Sequence, residues 1–220
     1  MPTYIKRLIE EGEHQMLDFK FEVSDFSKIA RTLVAFANTD GGRLLIGVKD
    51  NGAIAGVRSE EEYFMLEGAA SLYCKPEVGF SLKEWQVEGR KVLEAIIGPG
   101  RLKPYMSRES DGKWVAYIRQ DDQNFRASSI QLKVWEQQRF GKGTLVRYRE
   151  AEKILLTWLE KHQKITPHKF RQIAGITGSQ AEQTLVSFIM LGIICFEYAE
   201  SKIFITLTDD YTCRLSTGHD

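Results

Sequence analysis

Neither sign of charge prevails in this 220-residue chain: 30 Lys and Arg face 30 Asp and Glu, and the formal net charge is zero. That excludes a strongly basic protein that coats nucleic acid through its overall field, so any nucleic-acid site must be a local patch. The balance also holds separately on either side of residue 142. Long apolar runs are missing too. The longest near-apolar stretch, "LVSFIMLGIICF" at 185–196, falls short of the roughly 20 residues that a membrane-spanning helix needs, and no membrane partner is expected. The opening "MPTYIKRLIEEGEH" has Lys6 and Arg7 but neither an apolar core nor a small-residue cleavage site. It therefore does not read as a signal peptide, and the expected location is the cytoplasm. Cysteine is scarce: Cys74, Cys195 and Cys213 are far apart and odd in number, against both a disulfide framework and a Cys-His zinc site.

What is present suffices for a core, since 43% of the residues are hydrophobic, enough for one large domain or two modest ones. "MLDFKFEV" at 16–23 alternates, with Leu17, Phe19, Phe21 and Val23 on one face and Met16, Asp18, Lys20 and Glu22 on the other, the pattern of a half-buried strand. Ser24 and Asp25 are N-cap candidates for a helix in which Ile29, Leu33, Phe36 and Ala37 recur at helical spacing and which ends near Asn38. Gly41 and Gly42 break it, "RLLIGV" reads as a strand, and Asn51-Gly52 as a tight turn. Two strands joined by Glu88-Gly89 follow, then "KWVAYIRQ" after the Asp111-Gly112 turn, then a helix "IQLKVWEQQRF" capped by Ser128 or Ser129. Gly141 to Thr144 reads as a linker. Beyond it lie three helical patterns and two short strands, the order of a winged helix. Pro167 after a Thr166 cap, and Thr177 three residues before Gln180, mark the starts of its second and third helices.

The expected fold class is α+β: a mixed sheet with helices over residues 1–142, and a winged helix over 143–220. Basic residues in the second part gather on its first two helices, whereas the exposed candidates on the third are Ser179, Gln180, Glu182, Gln183 and Ser187. Major-groove reading by Arg or Lys is therefore weakly supported there, and a winged helix can also serve as a protein-protein or dimer module.

Near the N-terminus, Glu13, Asp18 and Asp50 are carboxylates that could converge at one sheet edge and hold Mg²⁺ or Mn²⁺. Such an ion could activate water against a phosphodiester while Lys20 bound a phosphate oxygen. The alternative is plain: Asp18, Lys20 and Glu22 form a solvated strand face and Asp50 a turn. The Gly41-Gly42 corner could present free N–H groups to a phosphate, or serve only to turn the chain. Asn38 reads as a helix-end cap in preference to a substrate contact.

Three ordered stretches, "EHQMLDFK", "LVAFANTDGGRLLIGVKDNGAIAGV" and "LKPYMSRESDGKWVAYIRQDDQNFRAS", resemble the successive motifs of the Schlafen-type AlbA-like domain over about residues 8–130. The resemblance implies DNA binding. In relatives that cleave tRNA and rRNA, two glutamates and an aspartate form a metal-dependent centre, which maps to Glu13, Asp18 and Asp50. Asp18 departs from the family's glutamate. Bacterial members that pair this domain with a winged helix are described as transcriptional regulators. The third motif's Lys-Pro-aromatic corresponds to Lys103, Pro104 and Tyr105, and its Tyr-x-Arg strand with following Asn to Tyr117, Arg119 and Asn124. Arg101, Lys103, Arg119, Asn124 and Arg126 are thus the candidate nucleic-acid contacts, with Tyr105 and Trp114 able either to stack on bases or to pack the sheet. The expectation is a cytoplasmic nucleic-acid-binding regulator, acting on DNA or RNA and able to form a homo-oligomer or bind a protein through the winged helix. The alternatives are a metal-dependent ribonuclease using Glu13, Asp18, Lys20 and Asp50, and an assembly adaptor.

Overall fold

The computed structural model describes residues 4–57, 61–141, 148–199 and 202–211. The chain divides into two compact units, Met1–Ala127 and Ser128–Asp220.

In the first unit, helix α2 (Phe26–Asn38) is the central element. Asp25 caps it, accepting from the N–H groups of Ser27 and Lys28. From Ile29 onward almost every residue is buried, as fits a helix apolar around its circumference. It lies between two sheets. One has the order β1 (Leu17–Lys20), β2 (Gly42–Ile46), β5 (Arg90–Ile97), β4 (Phe80–Val87), with β1 parallel to β2 and the other pairs antiparallel. The other is the antiparallel β3 (Cys74–Lys75), β6 (Met106–Arg108), β7 (Trp114–Gln120), β8 (Gln123–Arg126). Helix α3 (Glu61–Leu72) packs on α2, and α1 (Tyr4–Glu11) sends Ile5 and Leu8 into a cluster with Leu17, Phe19 and Leu45. Glu88 and Gly89 both take positive φ, 54° and 73°, which suits the tight β4–β5 connection.

Strand β1 is shorter and more enclosed than its alternation implies. Leu17, Asp18 and Phe19 are all buried, whereas Phe21 is exposed. Local alternation records one apolar face; the burial of the other comes from β7, a hundred residues away, through Arg119.

The Gly41-Gly42 corner is set by packing. Gly41 has φ +77°, and a Cβ there would fall 2.6 Å from the Ile97 carbonyl oxygen; one on Gly42 would fall 2.4 Å from the Phe36 ring. The corner brings β2 directly against the end of α2.

The second unit contains α4 (Ser129–Phe140), α5 (Glu150–His162), β9 (Lys164–Ile165), α6 (Pro167–Ala174), α7 (Gly178–Met190), β10 (Ile194–Ala199) and β11 (Lys202–Leu207). Its sheet has the order β10-β11-β9 and is antiparallel. The caps lie where the sequence places them: Ser128, Thr166 and Thr177 accept from the backbones of Gln131, Lys169 and Gln180. Helix α4 groups with this unit, whereas the sequence reading put it before a boundary at 142/143. Ile130 and Val134 share a core with Leu155, Phe170 and Leu185, and Glu182 of α7 bonds Ser129 and Lys133. Of the expected linker Gly141 to Thr144, residues 142–144 lie outside the described residues, as does Cys213. Among the described residues no helix is long and apolar enough to cross a membrane.

Candidate functional site

The turn from Glu13 into β1 builds the polar centre of the first unit. Glu13 Oε1 accepts from the Phe19 N–H at 2.8 Å, which folds this side chain back along the strand. Asp18 is 3% exposed. Its Oδ1 accepts from Arg119 Nη2 at 3.1 Å, and its Oδ2 lies 2.9 Å from Lys20 Nζ. Burial, followed by the neighbouring Asp18 carboxylate, pushes the Glu13 carboxyl above its usual range, while the Phe19 N–H and Lys20 pull it down.

Arg119, 2% exposed, is committed internally. Besides Asp18 it donates to the carbonyls of His14 at 3.3 Å and Leu17 at 3.1 Å and to Asn124 Oδ1 at 3.4 Å, with its guanidinium 5.3 Å from the centroid of the Phe36 ring. This corrects its expected role as a phosphate contact: every face of the guanidinium meets protein. Asn124 is similarly engaged, donating to Thr32 Oγ1 at 3.2 Å.

The three-carboxylate metal centre that the sequence allowed as an alternative is not formed among the described residues. Glu13 and Asp18 come together, but Asp50 sits on an exposed turn after β2, and no group of three or more His, Cys, Asp or Glu is arranged to hold a metal. Both Asp18 oxygens already face cations, which would repel a divalent ion. These residues do not fit Mg²⁺ or Mn²⁺. The Gly41 N–H, a candidate phosphate donor, is spent on the Phe36 carbonyl at 3.0 Å.

The remaining contact candidates fall into separate surroundings. Arg101 is exposed on the loop after β5. Lys103 Nζ donates to the Thr39 carbonyl at 3.3 Å, and burial lowers its pKa despite the opposing charge of Asp40. Exposed Arg126 donates to the Tyr117 hydroxyl at 3.4 Å, beside the ion pair of Arg31 with Glu109 at 2.8 Å. Tyr105 is held by Asn38, which donates to its carbonyl and accepts from its N–H, both at 2.8 Å, and also donates to the Tyr117 carbonyl at 2.8 Å. Asn38 is therefore a clamp between α2 and the second sheet, neither a helix cap nor a free contact. The Tyr105 ring packs over Gly100, where a Cβ would fall 2.1 Å away, while Trp114 stays 39% exposed. A cleft of about 520 Å³ opens beside Arg101, Leu102, Pro99 and Tyr105.

Sequence reasoning missed two connectors. Gln15 donates to Asp40 at 2.9 Å and to the Arg119 carbonyl at 3.1 Å, and accepts from the Asp121 N–H at 3.0 Å. Glu94, fully buried, accepts from Tyr4 at 2.7 Å and Trp85 at 2.9 Å and pairs with Arg43 at 3.2 Å. A lone carboxylate inside the apolar run "VLEAII" was its only local signal.

Fold and site together define an α+β domain in which a buried arginine joins two sheets through the first strand, with exposed Arg101 on a loop and exposed Arg126 at the end of β8. The chain belongs to the Schlafen, AlbA_2 family, whose model matches residues 13–128. Among solved structures it is similar to the N-terminal domain of a RecG-related protein from Nitrosomonas europaea, at 22% identity and TM-score 0.41, over 55% of this chain and 89% of that one. It is also similar to the DIP2311 protein from Corynebacterium diphtheriae, at 18% identity and TM-score 0.44, over 87% of this chain and 34% of that one, so it spans about a third of that protein. No curated protein sequence matches.

Proposed function

We propose that this protein is a nucleic-acid-binding regulator in which a Schlafen, AlbA_2 domain precedes a winged helix, and that it binds DNA or RNA without cleaving it. Family membership over residues 13–128 supports nucleic-acid binding. The observation that carries the choice of binding over hydrolysis is the neutralisation of Asp18 by Arg119 and Lys20 at 3.1 and 2.9 Å. A carboxylate so paired is a poor ligand for a divalent ion. Exposed Arg101 and Arg126, with the more enclosed Lys103, supply phosphate contacts, and the cleft beside Tyr105 has the apolar walls against which a base packs.

The winged-helix reading is supported by the order α5, β9, α6, α7, β10, β11 and by the pairing of β9 with β11, which closes the three-stranded sheet. The adaptor alternative gains little from α7, whose exposed positions Ser179, Gln180 and Gln183 are polar. The test is the affinity of the full chain for duplex DNA, single-stranded DNA and RNA over a range of salt. Salt-sensitive binding to any of them supports the reading, and absence of binding to all three at low salt refutes it.

A further inference from the structure

From Lys161 to Ala181 the chain contains no Asp or Glu, yet it carries Lys161, Lys164, Lys169 and Arg171 together with His162 and His168. The fold turns this asymmetry into a surface. On α6, Phe170 is fully buried and Ile173 and Ala174 pack on the same core, leaving His168, Lys169, Arg171 and Gln172 as the solvent face. The last turn of α5 is joined to that face through Trp158. His162 stacks on the indole with centroids 4.0 Å apart, Lys169 Nζ lies 5.6 Å from its centre, and the indole N–H donates to the Lys164 carbonyl at 3.3 Å. Helix α7 is different. Its exposed residues Gln180 and Gln183 carry no charge, and its Glu182 is occupied by Ser129 and Lys133 of α4.

We infer that the second unit meets the phosphate backbone of a nucleic acid through the ridge formed by the end of α5 and the solvent face of α6, with Lys161, Lys169 and Arg171 as its principal contacts, and not through α7, which has no Lys or Arg. The inference rests on the nucleic-acid-binding reading above and assigns a second contact surface within it. Phosphates favour this ridge because, among the described residues, Lys161, Lys169 and Arg171 enter no salt bridge; Glu160 borders the ridge next to Lys161, and Glu197 of β10 draws on Lys164 at 3.0 Å. Lysine and arginine contacts of this kind are sequence-independent and release counterions, so they register in the salt dependence of binding.

The experiment compares the full-length wild type with a Lys161→Ala, Lys169→Ala, Arg171→Ala triple variant against one labelled duplex DNA and one RNA over a salt series. Thermal unfolding checks that each variant folds, and Lys161→Arg with Lys169→Arg serves as a charge-preserving control, since Lys169 also touches Trp158. The expected result is a log–log salt slope shallower by about 2 to 3, an affinity at least about tenfold weaker at low salt, and retention of both in the Arg control. A Gln180→Ala, Gln183→Ala variant is expected to keep the wild-type slope. If the wild type binds with a salt slope that the folded triple variant retains, this inference is overturned while the general reading stands. If the wild type binds neither probe, this inference is overturned, and the general reading falls with it only when single-stranded DNA is not bound either. Loss of binding in the Arg control as well would also overturn it, because shape and not charge would then be responsible.

Discussion

Arg119 Nη2 and Asp18 Oδ1 lie 3.1 Å apart with side chains 1% and 5% exposed, joining β7 of one sheet to β1 of the other. The same guanidinium reaches the carbonyls of His14 and Leu17, so the pair fixes the turn that presents Glu13 and Lys20. Removing Asp18 would leave the buried Arg119 without a carboxylate, and removing Arg119 would leave buried Asp18 only the partly exposed Lys20, which is the costly event for such pairs.

Arg119→Ala should therefore destabilise the protein by about 3–5 kcal/mol in chemical denaturation. Asp18→Ala should cost a comparable amount, and the double variant clearly less than the sum. Additive losses would show that the two side chains act independently.

At the glycine corner, Gly42→Ala should cost about 1–3 kcal/mol, because its methyl would enter the space of the Phe36 ring. Combining it with Phe36→Leu should recover part of that loss relative to Phe36→Leu alone. A Gly42→Ala protein as stable as wild type would contradict the packing explanation of the corner.

The raised Glu13 carboxyl has a definite pH signature. Its folded pKa exceeds the unfolded one, so the folded state holds more protons as pH climbs from the ordinary carboxylate range, and stability is lost over that window. Glu13→Gln removes the titration and can keep the acceptor for the Phe19 N–H. Its stability relative to wild type should rise as pH climbs above the ordinary carboxylate range and then level off. A difference independent of pH, measured by denaturation at several pH values, would remove Glu13 from the linkage.

The second unit should fold as residues 128–220, and a fragment beginning at 143 should be markedly less stable, because Ile130 and Val134 leave the core with α4. Each such side chain contributes about 1.5–3 kcal/mol on full burial. Equal thermal stability of the two fragments would restore the boundary read from the sequence.

Local chemistry was legible in the sequence wherever it acted over a few residues. The Asp25 cap, the Glu88-Gly89 turn, and the Thr166 and Thr177 caps all stand where composition put them. Helix α3 escaped because it is apolar on two sides: Leu66, Ala69 and Ala70 are buried while Phe64 and Leu72 are exposed, which blurs its period. The two-residue β9 is too short to carry a pattern and exists only through its pairing with β11. At the candidate site, the sequence brought Glu13, Asp18 and Lys20 into view, but Arg119 looked like an exposed strand arginine. Its burial depends on Asp18, 101 residues away, and no local pattern encodes that pairing.

The claim that this protein binds nucleic acid through phosphate contacts is tested most directly by the salt dependence of its affinity for labelled DNA and RNA, comparing wild type with Arg101→Ala, Arg126→Ala. Wild-type affinity should fall linearly in log K against log salt, and the variant's slope should be shallower by about 1 to 2, equally for all probe sequences. An affinity indifferent to salt, or no binding at low salt, would contradict the account.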